Sequence, residues 1–582
     1  MTVEQRNAVE RLVQVSLRRR ASQIVDTSLA DEALIREVSS QLNVPDCPEL
    51  RNLVQSAGNP IRIELQNAAR NQAARNFWAA HGHTKAVILP LLAIVLAIGA
   101  GLRFDRIGSQ SQWLDEYWAV YLATGRGNLI FDLPYGQLID APPPCGFSGA
   151  PPFWHIWTGL TSVTQPPLYY LTLRAWIDFF GAGDFATRAM SAIFSLAAIV
   201  VMFDVVRRSA SSTTQGLAAA AMMALAPAQI DFSQTTRPYA MILFLGLLVC
   251  DLLIIAQMKG PSKLPVVGLF LAFVAFALTH YFTIGAFVAI ALFSLIRLRG
   301  KTRRDLFLAL LLALVTVLVA WGPMFWRARG LVALDGFVRG SGSGIGIFES
   351  FFNLPRRLLL HLSLETGFLT MVAFAIVIYV SPILRLRRNP QLLLWWLWAI
   401  CVPGFLLVWD MLRHTHFISV TRYVLLASPA MYAIFATPFP TRIGKWVPAA
   451  FVLAAVVSAF ARWQAGPSST PDVRAASQWI KTDVPSGDLV VLLGGADSEP
   501  SFNYFAVAHY AGEWKHPVVL LQNPAGTSLQ TALARYPHVW VWSRGDVNPN
   551  ILPGWNLAAA RHGGGFVLTE ATPALPNPIK SR

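Results

Sequence analysis

Charged side chains are scarce in this chain of 582 residues: Asp, Glu, Lys and Arg together make up 14%, against roughly a quarter in soluble globular proteins. With 54% hydrophobic residues, the chain is not the string of soluble domains its length alone would allow; most of it is solvated by lipid. Cysteine is nearly absent. Cys47, Cys145, Cys250 and Cys401 form no Cys-x-x-Cys pair, which removes zinc-ribbon and dithiol motifs. Carboxylates (32) are outnumbered by cations (47), for a net charge of +15. No basic helix with interleaved aromatics accompanies that excess, so nucleic acid is not a partner. In a membrane chain such cations decorate inner loops beside anionic headgroups. The glycine- and serine-rich run at 340–346 has no following Lys-Ser/Thr and no preceding strand, so it is a loop and not a phosphate-binding P-loop. The first 84 residues hold Arg18-Arg19-Arg20 and no apolar h-region, which predicts no cleavable signal peptide and an uncleaved anchor at 86–102.

What the chain has instead is long apolar runs. On the criterion of about 20 residues per crossing, we read spans at roughly 86–103, 188–206, 215–230, 240–257, 264–279, 283–296, 305–325, 363–384, 391–411, 422–438 and 446–461, about eleven. The run 264–296 tests the count. As one helix at 1.5 Å per residue it would be about 50 Å long, too long for a hydrocarbon core of about 30 Å. It should break near His280-Tyr281-Phe282-Thr283. Two short spans there also keep the cations at Arg207, Arg208, Lys259, Lys263, Arg385, Arg387, Arg388, Arg442, Lys445 and the cluster from Arg297 to Arg304 on the inner side. An odd count puts the C-terminus outside, and of the cysteines only Cys145 then faces the oxidising side.

The expected fold class is therefore a polytopic α-helical membrane protein with a soluble unit at each end. Residues 1–84 read as a small cytoplasmic helical domain, with Val9, Leu12, Val13 and Leu17 at helical spacing and no evident chemistry. The membrane domain, 85–462, carries large outer loops at 104–187 and 326–362. The first loop contains an apolar helix, 166–180, too short to span and suited to the interface. Residues 463–582 alternate strand candidates (489–493, 518–521, 539–542) with helix candidates (474–482, 502–511, 527–535), a small outer α/β domain.

Polar residues at the span ends gather on the outer face. Asp115 and Glu116 follow the first span; Asp231, Gln234, Arg237 and Tyr239 follow the third; His280 and Tyr281 follow the fifth; Arg413, His414, His416 and Arg422 lie between the ninth and tenth. Adjacent carboxylates near a bilayer are either a solvated helix start or a working acid. Arg237 and Arg422 read singly as snorkelling anchors, or together as cations for a lipid-linked phosphate. A carboxylate beside them suits general-base work on a hydroxyl. His-x-His at His414 and His416 is a weak metal signal with no paired carboxylate cluster.

The motifs run in a definite order. Trp113-Leu114-Asp115-Glu116 is followed by Gln165-Pro166-Pro167-Leu168-Tyr169-Tyr170 and Phe185-Ala186-Thr187-Arg188. Then come Ser233-Gln234-Thr235-Thr236-Arg237-Pro238-Tyr239, Thr279-His280-Tyr281 and Thr421-Arg422-Tyr423. This order resembles the GT-C glycosyltransferases of the protein-mannosyltransferase type, which include the aminoarabinose transferases of lipid A. The resemblance covers roughly 86–462, with a softer likeness in the C-terminal domain and no counterpart for residues 1–84. It implies a GT-C fold, a polyprenyl-phosphate sugar donor, a lipid, glycan or protein acceptor, and an active site on the periplasmic or outer face of a bacterial cytoplasmic membrane. It implies Asp115 as base or acceptor-binding acid with Glu116 as the second catalytic acid. Arg237, His280, Tyr281 and Arg422 would hold the donor phosphate, and Tyr169, Tyr239, His414 and His416 would bind substrate. Two departures stand out: Gln165 occupies a position that is often His or Lys, and Thr235-Thr236 replaces a common acidic-Ala pair.

The reading is an inverting membrane glycosyltransferase that needs no covalent nucleophile because phosphate is a good leaving group. No cofactor is assigned, no residue is assigned to a metal, and a divalent ion is left open. The alternatives are a lipid-linked sugar transporter or flippase, which predicts polar residues at mid-span and internal repeats, and a non-catalytic scaffold of a polysaccharide assembly complex.

Overall fold

The computed structural model describes residues 3–19, 27–57, 82–127, 129, 132–160, 165–260, 263–327, 372, 374–439, 441, 444–466, 472–494, 499–512 and 514–574. The chain divides into two compact units, Met1–Pro90 and Leu91–Arg582. Most of the 326–362 segment, with the 340–346 run, and the first part of the expected 363–384 span lie outside the described residues.

In the first unit, helices Val3–Arg19, Thr27–Leu42 and 48–57 close over a small core of Val9, Val13, Leu34, Ile35, Val38, Leu50 and Val54. Val9 and Val13 are four apart and so share one face of their helix, as the spacing predicts.

The second unit is an integral membrane protein with the expected fold class. Six described helices are long and apolar enough to cross a bilayer: Val87–Phe104, Asp184–Ala210, Tyr239–Lys259, Gly300–Arg327, Leu392–Arg413 and Gly444–Ala465. Among the described residues, the other apolar stretches are helical too but shorter or interrupted. Thr213–Leu225 ends at Ala226 before Pro227–Ser233, and the region from Thr421 runs through a 3₁₀ turn into Ser428–Ala436. Lys263–Ala277 stops at Thr279, and a 3₁₀ turn, Tyr281–Thr283, precedes Ile284–Arg297, so the break falls where the length argument requires it. Tyr239–Lys259 is largely apolar and 78% buried, the centre of the bundle, with one buried acid, Asp251, 3.3 Å from Arg208; Gly300–Arg327 is only 22% buried and leaves Leu311, Leu314, Leu318 and Val319 exposed, a lipid-facing surface. Gly285 allows close approach: a Cβ there would sit 2.5 Å from the Cys401 carbonyl oxygen. That seats the helix after the His280 turn against Leu392–Arg413.

The short helix Leu168–Phe180 buries Tyr169, Tyr170, Leu173 and Ile177 along one face and exposes Phe179 and Phe180, the amphipathic form suited to an interface.

The C-terminal region is a six-stranded sheet of order β1-β3-β2-β4-β6-β5. The strands are β1 Leu138–Ile139, β2 Leu489–Leu493, β3 Val518–Leu521, β4 Val539–Arg544, β5 Trp555–Gly563 and β6 Phe566–Pro573. The central strands β2, β3 and β4 pair in parallel and are buried on both faces, which is why they read as unbroken apolar runs. Helices Val473–Asp483, Pro500–Ala511 and Thr527–Leu533 match the expected positions. Two strand features differ from the sequence reading. The β5–β6 hairpin turns at Gly564 and Gly565, both with positive φ, and was not foreseen because Trp555–Gly563 is rich in small and polar residues. β1 comes from the 104–187 loop and pairs antiparallel with the edge of β3.

Candidate active site

The site is built around the short helix Leu114–Leu122, buried along almost its whole length. Its start is fixed locally: the Glu116 carboxylate reaches back to accept from the Trp113 backbone N–H at 3.1 Å, satisfying a donor that a helix terminus leaves open. Asp115 and Glu116 then point about 100° apart, and the rest of the fold treats them differently.

Glu116 is fully buried and fully engaged. Arg188, in the first turn of Asp184–Ala210, grips it with Nε to Oε1 at 2.8 Å and Nη2 to Oε2 at 2.7 Å. The Thr236 backbone N–H donates to Oε1 at 2.7 Å. The same Arg188 guanidinium donates to the carbonyls of Ile107, Gln110 and Ser111. Thr187 Oγ1 accepts from Gln112 at 2.9 Å and from Thr236 at 3.0 Å. Three sequence motifs thus meet in one closed lock, and a bidentate arginine–carboxylate pair is its strongest element. Arg188 was legible only as part of a motif; its partner was not.

Asp115 is 3% exposed and faces cations instead. Arg422 Nη1 lies 3.3 Å from its Oδ2 and Arg237 Nη2 lies 3.9 Å away, yet Oδ2 accepts no hydrogen bond. Arg237 is anchored by Nη1 donating to the Asp115 carbonyl at 3.2 Å. Arg422 is flanked by aromatic faces, 5.5 Å from the Trp113 ring and 5.2 Å from Tyr423. The Nε atoms of both arginines are buried with no hydrogen-bond partner. Groups of this kind are costly to leave open, and cationic donors so placed can take an anion.

His280 sits in the turn between two apolar helices, 3% exposed. Its Nδ1 accepts from the Phe282 backbone N–H at 3.1 Å, which assigns the ring hydrogen to Nε2. Burial first, then the charges of Arg237 and Arg422, push its pKa down to about 3, so it is a neutral donor. Nε2 has no partner. The turn is held to the Gln165-Pro166-Pro167 segment by Leu168 N–H donating to the Leu278 carbonyl at 3.0 Å. Gln165 is buried and accepts from Tyr170. Tyr239 stands 6.0 Å below Arg237 and 6.4 Å from His280, with its hydroxyl buried and unpaired. Tyr169 is fully buried, edge-on to Tyr170.

The structure therefore brings together Asp115, Arg237, His280, Tyr239 and Arg422. Tyr281 is turned toward Gly300–Arg327, its hydroxyl accepting from Trp321 at 3.0 Å. His414 is an exposed left-handed residue ending the helix Leu392–Arg413. His416 is half-buried beside a turn organised by Asp410, which accepts from Thr415, Phe417 and Ile418. No group of three metal-ligating side chains occurs among the described residues. Arg103, not singled out from sequence, is fully buried; it caps the helix Thr213–Leu225 through the Met223 and Ala224 carbonyls and also bonds Ser195. Gln234 donates to the carbonyls of Leu102, Arg103 and Asp105, and accepts from Arg462, which also pairs with Asp231.

Comparison with known proteins bears on the fold. Residues 164–325 match the family described as dolichyl-phosphate-mannose-protein mannosyltransferase, a segment that includes Thr187, Arg188, Arg237 and His280 but neither Asp115 nor Arg422. No curated protein matches the chain in sequence. Among solved structures, ArnT from Cupriavidus metallidurans bound to undecaprenyl phosphate is similar at 14% identity and a TM-score of 0.50, over 84% of this chain and 98% of that one. The apo oligosaccharyltransferase of Archaeoglobus fulgidus is similar at 13% identity and a TM-score of 0.46, over 78% of this chain and 69% of that one. The family matched over residues 164–325 is of the protein-mannosyltransferase type that the ordered motifs resemble, and the likeness to the solved ArnT is one of fold.

Proposed function

We propose that the chain transfers a sugar from a polyprenyl monophosphate to an acceptor hydroxyl at the non-cytoplasmic face of the membrane. The observation that carries the reading is the Asp115 carboxylate, buried between Arg237 and Arg422 with an oxygen that accepts no hydrogen bond. An anionic phosphate beside the two arginines and His280 Nε2–H would satisfy open donors on all three. It would also draw the guanidinium charge away from Asp115, leaving that carboxylate to accept a proton. The acceptor oxygen attacks the anomeric carbon, the bond from that carbon to the phosphate oxygen breaks, the electron pair leaves with phosphate, and the acceptor proton passes to Asp115. Configuration inverts in one displacement. Glu116, closed in its pair with Arg188, is a positioning residue that sets the angle of the Asp115 helix. That the solved ArnT binds undecaprenyl phosphate supports the donor class.

The test is release of polyprenyl phosphate from labelled lipid-linked sugars by purified protein. Release that depends on Asp115 is expected; a protein that neither binds nor cleaves any polyprenyl-phosphate sugar overturns the reading. The outer placement of the α/β domain is checked by a reporter fused after Arg582, which should be active only if it functions outside the cytoplasm.

A further inference from the structure

A cavity of about 1000 Å³ lies away from the Asp115 cluster. Its walls are Gly108, the 142–148 and 182–185 loop segments, and residues of the α/β domain; Asp115, Arg237, His280 and Arg422 do not line it. Val120 does. Five positions beyond Asp115, it projects about 140° away around the same helix. The cavity is thus behind the helix that carries the acid.

The lining is mixed in a particular way. Phe147, Phe185, Tyr510 and Trp514 offer aromatic surface, while Arg474 and Lys515 offer charge. The one carboxylate among the described lining residues, Asp184, is already engaged: Arg474 pairs with it, Tyr510 donates to it at 3.0 Å, and His509 Nε2 stands 3.9 Å away. Arg474 Nε is buried without a hydrogen-bond partner, and Lys515 is exposed. The described lining therefore has surplus positive charge. Its size is at the upper end for a small-molecule site. Acyl chains do not suit a wall with Arg474, Gln478 and His509 in it. Sugar rings do, having apolar faces for aromatic side chains and hydroxyl edges for the polar ones.

We infer that this cavity is an accessory saccharide site which holds an acidic sugar of the acceptor, remote from the reacting hydroxyl. The inference rests on the glycosyl-transfer reading for its role, not for the binding itself. A physical link to the reaction centre exists: the Tyr510 hydroxyl that donates to Asp184 also accepts from the Gln112 backbone N–H, three residues before Asp115. A filled cavity would steady the start of the catalytic helix.

The experiment uses the full-length protein in nanodiscs, with hyaluronan tetrasaccharide as the acidic probe and maltotetraose as the neutral one, followed by calorimetry. The acidic probe should bind at least tenfold more tightly than the neutral one. Lys515→Gln, at an exposed position, and Trp514→Ala should each weaken it about tenfold, with donor affinity unchanged. Asp115→Asn should bind the probe normally. Failure of both probes, equal binding of the two, or binding indifferent to Lys515→Gln and Trp514→Ala overturns the inference. Probe binding in a protein that cleaves no lipid-linked sugar leaves the site standing and counts against the transfer reading alone.

Discussion

Glu116 is locked to Arg188 by two hydrogen bonds of 2.7 and 2.8 Å, while Asp115, its immediate neighbour, has an oxygen with no hydrogen-bond donor although two arginines stand within 4 Å. One carboxylate is closed into the architecture and the other is left with an open oxygen. The distinction governs what substitution at each should do.

Asp115→Asn preserves size and burial and removes the proton acceptor. Transfer should fall on the order of 10²–10⁴-fold while donor binding persists. A single-turnover measurement with donor bound reads this directly, and near-normal transfer would remove Asp115 from the chemistry.

Glu116→Gln should act on the fold first. Breaking a buried ion pair leaves Arg188 uncompensated, at a cost of about 3–5 kcal/mol, so thermal unfolding should shift downward markedly. Activity lost in proportion to the folded fraction is the signature of a positioning role; a folded variant with full stability and no turnover would restore Glu116 to catalysis.

Arg422→Ala and Arg237→Ala should each weaken donor binding by about 2–5 kcal/mol, roughly thirtyfold or more in Kd. Arg422→Lys should recover little, because the flanking Trp113 and Tyr423 rings favour a planar guanidinium. Binding of a labelled polyprenyl phosphate decides it; affinities within twofold of the parent would leave the arginines without a phosphate.

How much of this was legible beforehand depends on the range of the forces involved. The apolar helices and the break at His280 followed from hydrophobicity and length, which are local. The parallel strands β2, β3 and β4 were legible because burial on both faces writes a continuous apolar run. The hairpin was not, since its first strand mixes small and polar residues; the signal that could have found it was Gly563-Gly564-Gly565. The arginines and His280 were legible as a group at one depth. Which acid pairs with which arginine was not, because Glu116 and Arg188 meet across 72 positions and no periodicity records such a contact. Tyr281 and His414 had the right address in sequence and point elsewhere.

His280 gives the chain a pH signature. Its folded pKa is about 3, below the 6.5 of an unfolded imidazole. Between those values the unfolded chain binds a proton that the folded chain refuses, so stability rises with pH there. The contribution is complete above about pH 6.5 and is lost as pH falls toward 3, by at most about 1.4 kcal/mol per pH unit. Thermal unfolding between pH 7 and 4.5 should show His280→Gln to be less acid-sensitive than the parent; identical slopes would mean that the imidazole is not excluded from water.

The sheet edge has a consequence for biosynthesis. β1 belongs to the 104–187 loop, yet its partner is β3, and nearby Tyr135 bonds to Ser501 across 366 positions. Contacts this remote form late, since the intervening chain must first be made and its loop closed. Until β3 is synthesised, the loop bearing β1 waits as an unpaired edge beside a nearly finished bundle. A ribosome-stalled or truncated chain ending before residue 518 should therefore expose 132–140 to protease, and the completed chain should shelter it. A strand made near the end of synthesis would then decide when this early loop matures.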